Sequence, residues 1–256
     1  LQVITSSSPL TEKPNVKSEL LTECLFGETV EIEKTYNNFY YVRSLIDNYY
    51  GWINSRHLGI LPKCTHRVII NRTIINEEPN IKSNCIKYLP LGSQVALTRI
   101  INEWAEINIL KNKKLYKAYL PSKHIVSKNH KTLDWVAVAE KLIDTPYKWG
   151  GRDTLGIDCS ALVQLALQTI GINFPRDTCD QVNYHLGIKI PLSKANRGSI
   201  IFWERHVGIF VSKDKIIHSN AFHMKTSIEP FIKINKRVKN HHGSFVNIIN
   251  IKYKNS

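Results

Sequence analysis

The chain has 256 residues, 43% of them hydrophobic and 22% charged, which excludes a disordered polyelectrolyte and leaves room for one to three packed domains. Its 35 Lys and Arg outnumber 21 Asp and Glu, and the resulting net charge of +14 favours polyanions such as nucleic acid, anionic lipid or anionic cell-envelope polymer without assigning a function. The basic residues are scattered, with neither zinc-finger spacing nor an aromatic-rich glycine motif, so no nucleic acid is expected as a partner. The longest weakly polar stretch, Cys159 to Ile172, falls short of the roughly 18 apolar residues of a membrane span.

Two segments near the start repeat each other. Gly51 to Leu58 aligns position for position with Ala118 to Ile125, and upstream Phe26-Gly27, Val30, Ile32, Phe39 and Val42 match Leu91-Gly92, Val95, Leu97, Trp104 and Ile107. Each unit alternates short apolar runs with turn residues, which predicts two small antiparallel β-barrels or sandwiches. The pattern turns helical past Ser127 to Lys131, with apolar residues three and four apart from Leu133 to Ile143. A glycine-rich loop leads to a second helix, Cys159 to Ile170, with Gly171 as its C-cap. Strands follow at Ser199 to Trp203, Val207 to Val211, Ile216 to Ser219, Ser227 to Phe231 and Val246 to Tyr253. Helices ahead of strands read as α+β.

Five cysteines (Cys24, Cys64, Cys85, Cys159 and Cys179) form no C-x-x-C pair, and an odd number is not a disulfide framework, so at least one free thiol is expected. The chain begins at Leu1 and its single methionine is Met224, so the original start is expected to have been removed, and an export signal is not open to reading. Cys159 stands at the predicted start of a helix, directly after Asp158. Unpaired N–H groups and the positive dipole end there are expected to lower a thiol's pKa, as a nucleophile requires. The other four cysteines are expected to be structural.

A nucleophilic thiolate needs a base, and the base needs an orienting partner. If Ser212-Lys213-Asp214 is a three-residue hairpin loop, residue 211 pairs with 215, 208 with 218 and 206 with 220. His206 and His218 then lie diagonally on one face, one to take the Cys159 proton and the other to fix its tautomer. A two-residue loop would put them on opposite faces. The remaining histidines are expected to be structural or solvated, except that His223 is left without a role, as is the basic segment from Lys233 onward. No H-E-x-x-H or paired C-x-x-C occurs, and neither a metal nor a cofactor is expected.

The run Tyr147-Lys148-Trp149-Gly150-Gly151, then Gly156 to Val163, Phe174-Pro175-Arg176-Asp177 with Gln181, Phe202-Trp203, His206-Val207-Gly208-Ile209 and Ile217-His218 resembles the NlpC-type cysteine peptidases of bacterial cell-wall metabolism. The upstream repeats resemble the bacterial SH3-like domains that often precede them. The resemblance implies an α+β papain-like peptidase domain at 129–256, behind two small all-β SH3-like barrels at 1–60 and 61–128. It implies Cys159 as nucleophile, His206 as general base, His218 as the orienting third member and Tyr147 as an oxyanion donor. Relatives that require a free N-terminal L-alanine hold its amine with the Asp and Ser beside the nucleophile, here Asp158 and Ser160. A tyrosine of the first SH3-like domain can join them, here Tyr49. Ala161 and Ser199 depart from the usual glycine and aspartate of the family, and neither touches the triad.

The expected activity is hydrolysis of the γ-D-glutamyl-diamino acid bond, with diaminopimelate, in murein peptides with a free L-alanine, as part of wall-peptide recycling in the cytoplasm. The alternatives are an exported autolysin acting on intact wall in the periplasm or outside the cell, with the repeats and the charge holding an anionic wall polymer, an acyltransferase, or a non-enzymatic wall-binding scaffold.

Overall fold

The computed structural model describes residues 1–253, apart from the side chains at 240–242, so the end of the basic segment and the side chains of His241 and His242 lie outside the described residues. Two compact units form. One comprises Leu1–His130 with Trp149–Thr154, and the other Lys131–Lys148 with the chain from Leu155 onward.

In the first unit, β1 (Ser7–Thr11), β2 (Leu20–Leu25), β3 (Val30–Tyr36), β4 (Phe39–Ser44) and β5 (Tyr50–Asn54) make an antiparallel sheet in the order β2-β1-β5-β4-β3. β6 (Arg72–Asn76), β7 (Cys85–Pro90), β8 (Leu97–Ile101), β9 (Trp104–Lys111) and β10 (Lys114–Pro121) repeat it as β7-β6-β10-β9-β8. The sequence repeat is thus a repeat of strand order. Each half has its own apolar core, around Leu10, Val42 and Ile53 in one and Ile75, Ile107 and Leu120 in the other. Local details recur as well. Asn37 and Asn102 take positive φ in the β3–β4 and β8–β9 turns, a conformation asparagine tolerates. A single 3-10 turn follows β5 at Ser55–His57 and β10 at Ser122–His124. The histidine closing each turn bonds a buried hydroxyl, His57 Nδ1 to Ser8 Oγ at 2.8 Å and His124 Nδ1 to Thr73 Oγ1 at 2.9 Å.

The segment Trp149–Thr154 packs with this β unit, although the reading from sequence assigns it to the domain beginning at 129. Buried charge is the reason. The Arg152 guanidinium reaches both Glu28 oxygens at 2.9 Å, and the Arg152 main-chain N–H donates to Glu23.

The second unit contains α1 (Trp135–Glu140), α2 (Cys159–Gln168), α3 (Thr178–Gln181), β11 (Gly187–Lys189), β12 (Ile200–Trp203), β13 (His206–Phe210), β14 (Lys215–Asn220), β15 (Lys225–Pro230), α4 (Phe231–His242) and β16 (Asn247–Ile251). The antiparallel sheet runs β11-β16-β12-β13-β14-β15. Every residue of α2 from Cys159 to Leu167 is buried, and the helix packs on α1 and on β13 and β14, which fixes its first residue above the sheet. α1 is shorter than its apolar spacing predicts, because Asp134 accepts from the N–H groups of Val136 and Ala137 and starts the helix after itself, leaving Leu133 fully exposed. Gly171 takes φ +80° just past α2, where its N–H donates to Gln168. Helices do not all precede strands. α4 stands between β15 and β16, burying Ile234 and Val238 against the sheet.

Candidate active site

Asp158, in extended conformation, caps α2 by accepting from Ala161 N–H at 2.8 Å, and this delivers Cys159 as the first helical residue. The helix terminus does not govern the thiol. Burial, reinforced by the negative charge of Asp158, pushes Cys159 up to about 12, outweighing the N–H groups of Val207 and Ser160 and the charge of Arg176. The expectation of a lowered thiol pKa is corrected: the pKa is raised, and the resting group is a neutral S–H.

β13 and β14 pair with Ile209 opposite Ile217 and Phe210 opposite Ile216, the register that a three-residue Ser212–Asp214 loop requires. His206 and His218 accordingly share a face, and His206 Nε2 lies 2.8 Å from His218 Nδ1. The diagonal is kept clear by Gly208 between them. A Cβ there would sit 2.6 Å from Ile216 Cγ2 and 3.4 Å from His218 Cβ. His206 is half-exposed at the start of β13 with its ring against Trp203, whereas His218 is buried.

Tyr147 is half-buried in the loop between α1 and α2, tied by its N–H to Met224 O at 2.9 Å. Burial, with the charges of Cys159 and Asp158 adding to it, pushes its hydroxyl up to about 12, so it remains an O–H donor close to the thiol. Asp158 and Ser160 are engaged within the protein. Arg176 grips Asp158 through both oxygens at 3.1 and 2.6 Å and bonds Ser160 Oγ at 2.6 Å, while Ser160 Oγ donates to Asp158 at 3.1 Å. A substrate amine at Asp158 would join this pair, because neither oxygen is without a partner. Tyr49 belongs to the first unit, in the β4–β5 turn, where its N–H donates to Asp47 Oδ1 at 3.2 Å and its carbonyl accepts from Ser44.

The sequence reading misses a carboxylate behind the histidines. Glu229 on β15 lies 2.9 Å from His218 Nε2 and is bound by Arg237 of α4, with His223 Nε2 at 3.2 Å. A signal was available: Phe231, Ile234 and Val238 recur at helical spacing through the basic segment, placing Arg237 about two turns beyond the end of β15. Among the described residues no cluster of His, Cys, Asp and Glu could hold a metal ion.

A thiol at the buried start of a helix, over an antiparallel sheet that carries two hydrogen-bonded histidines, is the arrangement of a papain-like cysteine peptidase. The chain matches the NlpC/P60 family over residues 144–241 and the bacterial dipeptidyl-peptidase Sh3 domain over residues 10–58. It is 25% identical to dipeptidyl-peptidase 6 of Lysinibacillus sphaericus, over 85% of this chain and 86% of that one. It is 34% identical to a probable endopeptidase NlpC homolog of Haemophilus influenzae, over 33% of this chain, and spans 47% of that protein's length. The crystal structure of an NlpC/P60 family protein from Bacillus cereus superposes with a TM-score of 0.83 at 16% identity, covering 96% of this chain and 97% of the other, a likeness of fold.

Proposed function

We propose that the protein hydrolyses the γ-D-glutamyl-diaminopimelate bond of murein peptides that begin with a free L-alanine, using Cys159, His206 and His218. The observation that carries this reading is the 2.8 Å bond between His206 and His218 on the face of β13 and β14 against which the start of α2 packs. The neutral thiol gives its proton to His206 as sulfur attacks the γ-carbonyl carbon. A C–S bond forms, and the carbonyl electrons move onto oxygen, where the Tyr147 O–H and the Cys159 N–H can donate. The tetrahedral adduct collapses, the C–N bond breaks, and the amine of the diamino acid leaves with the proton from His206. Water then attacks the thioester carbon and gives a proton to His206. The C–S bond breaks, and that proton returns to sulfur.

A free N-terminus fits the buried acidic group beside the nucleophile, Asp158, with Ser160 as a further amine-binding residue. A relative whose name is dipeptidyl-peptidase spans nearly all of this chain, and release of two residues from a free N-terminus is what such a name describes. Substrates of this kind are recycled wall fragments, and a cytoplasmic setting agrees with five unpaired cysteines among the described residues. The +14 charge favours the second reading, an enzyme held on anionic wall polymer outside the cytoplasm. Product analysis by mass spectrometry separates the two, with L-Ala-γ-D-Glu-diaminopimelate and purified sacculi as substrates and Cys159→Ala as control. Release of L-Ala-D-Glu from the tripeptide alone is expected. Release from sacculi would establish the second reading, and cleavage of neither by the wild type would overturn both.

A further inference from the structure

Glu229 takes no part in the steps above, yet three side chains hold it. His218 Nε2 lies 2.9 Å from its Oε1, Arg237 Nη2 reaches the same oxygen at 2.6 Å and Arg237 Nη1 reaches Oε2 at 3.0 Å. His223 Nε2, from the β14–β15 turn, is 3.2 Å from Oε2. The pairing of His218 with Ser227 and of Ile216 with Glu229 sets residues 218 and 229 diagonally on one face of the β14–β15 ladder.

These contacts determine where the protons are. Burial alone would raise the Glu229 pKa, but the bonds from His218, Arg237 and His223 outweigh it and hold the carboxyl well below its usual range. An ionised carboxylate only accepts, so the N–H of His218 must be on Nε2. Burial lowers the His218 pKa against the pull of Glu229, which leaves the ring neutral and its Nδ1 a bare lone pair. The 2.8 Å contact is then His206 Nε2–H donating to His218 Nδ1. A neutral His206 with its proton on Nε2 has its lone pair on Nδ1, which makes Nδ1 the basic nitrogen of the ring. Asn220 Nδ2, 3.3 Å from His218 Nε2, does not compete, because Ser227 Oγ at 3.1 Å and Lys225 O at 3.3 Å accept its two hydrogens.

We propose that Glu229, fixed by Arg237 of α4, is a positioning residue that sets the tautomers of His218 and His206 in series and so presents a basic Nδ1 to Cys159, a role that rests on the peptidase reading of the triad. The groups facing His218 are Glu229 from β15, Arg237 from α4, His223 from the β14–β15 turn and His206 from β13. Glu229 raises the proton affinity of His218 and Arg237 lowers it.

The test begins with the wild-type protein labelled with 15N-histidine, in which two-bond correlation spectra distinguish imidazole tautomers. Both His206 and His218 are expected with the proton on Nε2, and a proton on His218 Nδ1 overturns the proposal. Rate measurements follow on Glu229→Ala and Arg237→Gln. One readout is kcat/KM for the tripeptide against pH. The other needs no substrate: the rate of Cys159 alkylation by iodoacetamide, read by peptide mapping with exposed Cys85 as internal control. Glu229→Ala is expected to lower kcat about 10- to 100-fold with little change in KM. It should move the acid limb toward lower pH by about one unit, while Arg237→Gln moves it toward higher pH. Limbs that stay in place, or move in the same direction, overturn the proposal. If the wild type fails to cleave the tripeptide but alkylation shows the opposed shifts, the relay stands and the assigned substrate falls.

Discussion

Two guanidinium–carboxylate pairs, one in each unit, share their chemistry and differ in what else they touch. Arg152 and Glu28 are both about 2% exposed or less, and they bond main chain and a second carboxylate as well: Glu28 accepts from Leu25 N–H, and Arg152 N–H donates to Glu23. Arg237 and Glu229 are more open, and Glu229 passes its bond on to a histidine that bonds a second histidine. A closed pair of this kind holds structure, because removing one partner strands a charge in a place water cannot reach. A pair joined to a titratable ring acts on chemistry, because its field changes the proton affinity of the ring. The buried ion pair does not reveal which role it plays until its third neighbour is known.

The sharpest way to break this contrast is at the thiol. Cys159→Ala should reduce tripeptide hydrolysis at least about 10⁴-fold while changing stability by no more than about 1 kcal/mol. Residual cleavage above that level, in a product assay with the folded variant, would remove the reactive group from this site. Next in size is the closed pair. Arg152→Met should cost about 3–5 kcal/mol in denaturant unfolding, and adding Glu28→Gln should restore most of it. The acid limb of kcat/KM should stay in place, and a displaced limb would show that the β-unit pair also reaches the catalytic proton.

Asp158 stands between the two extremes, since its partner Arg176 is buried but a substrate amine is proposed to join it. Asp158→Asn retains a helix cap and loses the charge. The kcat/KM preference for a free over an N-acetylated tripeptide should shrink roughly tenfold, or about 1.4 kcal/mol. The smallest effects belong to the uncharged equivalents in the β repeats. Ser8→Ala and Thr73→Ala should each cost about 1 kcal/mol and add nearly independently in chemical unfolding. Burial lowers both His57 and His124 below the usual 6.5, so an unfolded chain takes up protons first. Stability is therefore full above that value and declines as pH falls through the folded values. Midpoints that rise on acidification would show that these rings are charged in the folded protein.

The residues that could be located from the sequence are those governed by counting. Strand alternation plus a three-residue loop fixed the geometry of His206 and His218, and the register agrees. Matching segments foretold a repeated strand order because the same turn glycines, asparagines and histidines recur. Glu229 escaped because its approach to His218 depends on the pairing of a further hairpin, and Arg237 because a lysine-rich run hides a narrow apolar stripe. The acidity of Cys159 was misjudged for a related reason. A helix terminus can be seen in a sequence, whereas the depth at which it is buried depends on α1 and the strands packed around it.

Gly208 has a consequence for which replacements this site will tolerate. It contributes no reactive atom, yet its Cα faces Ile216 and His218 so closely that even one methyl group would need space already occupied. Such a methyl would act as a shim against Ile216, displacing the strand that carries His218 while leaving both imidazoles in the chain. In a survey of every single substitution, the position least forgiving after the thiol and its base should therefore be the one without a side chain.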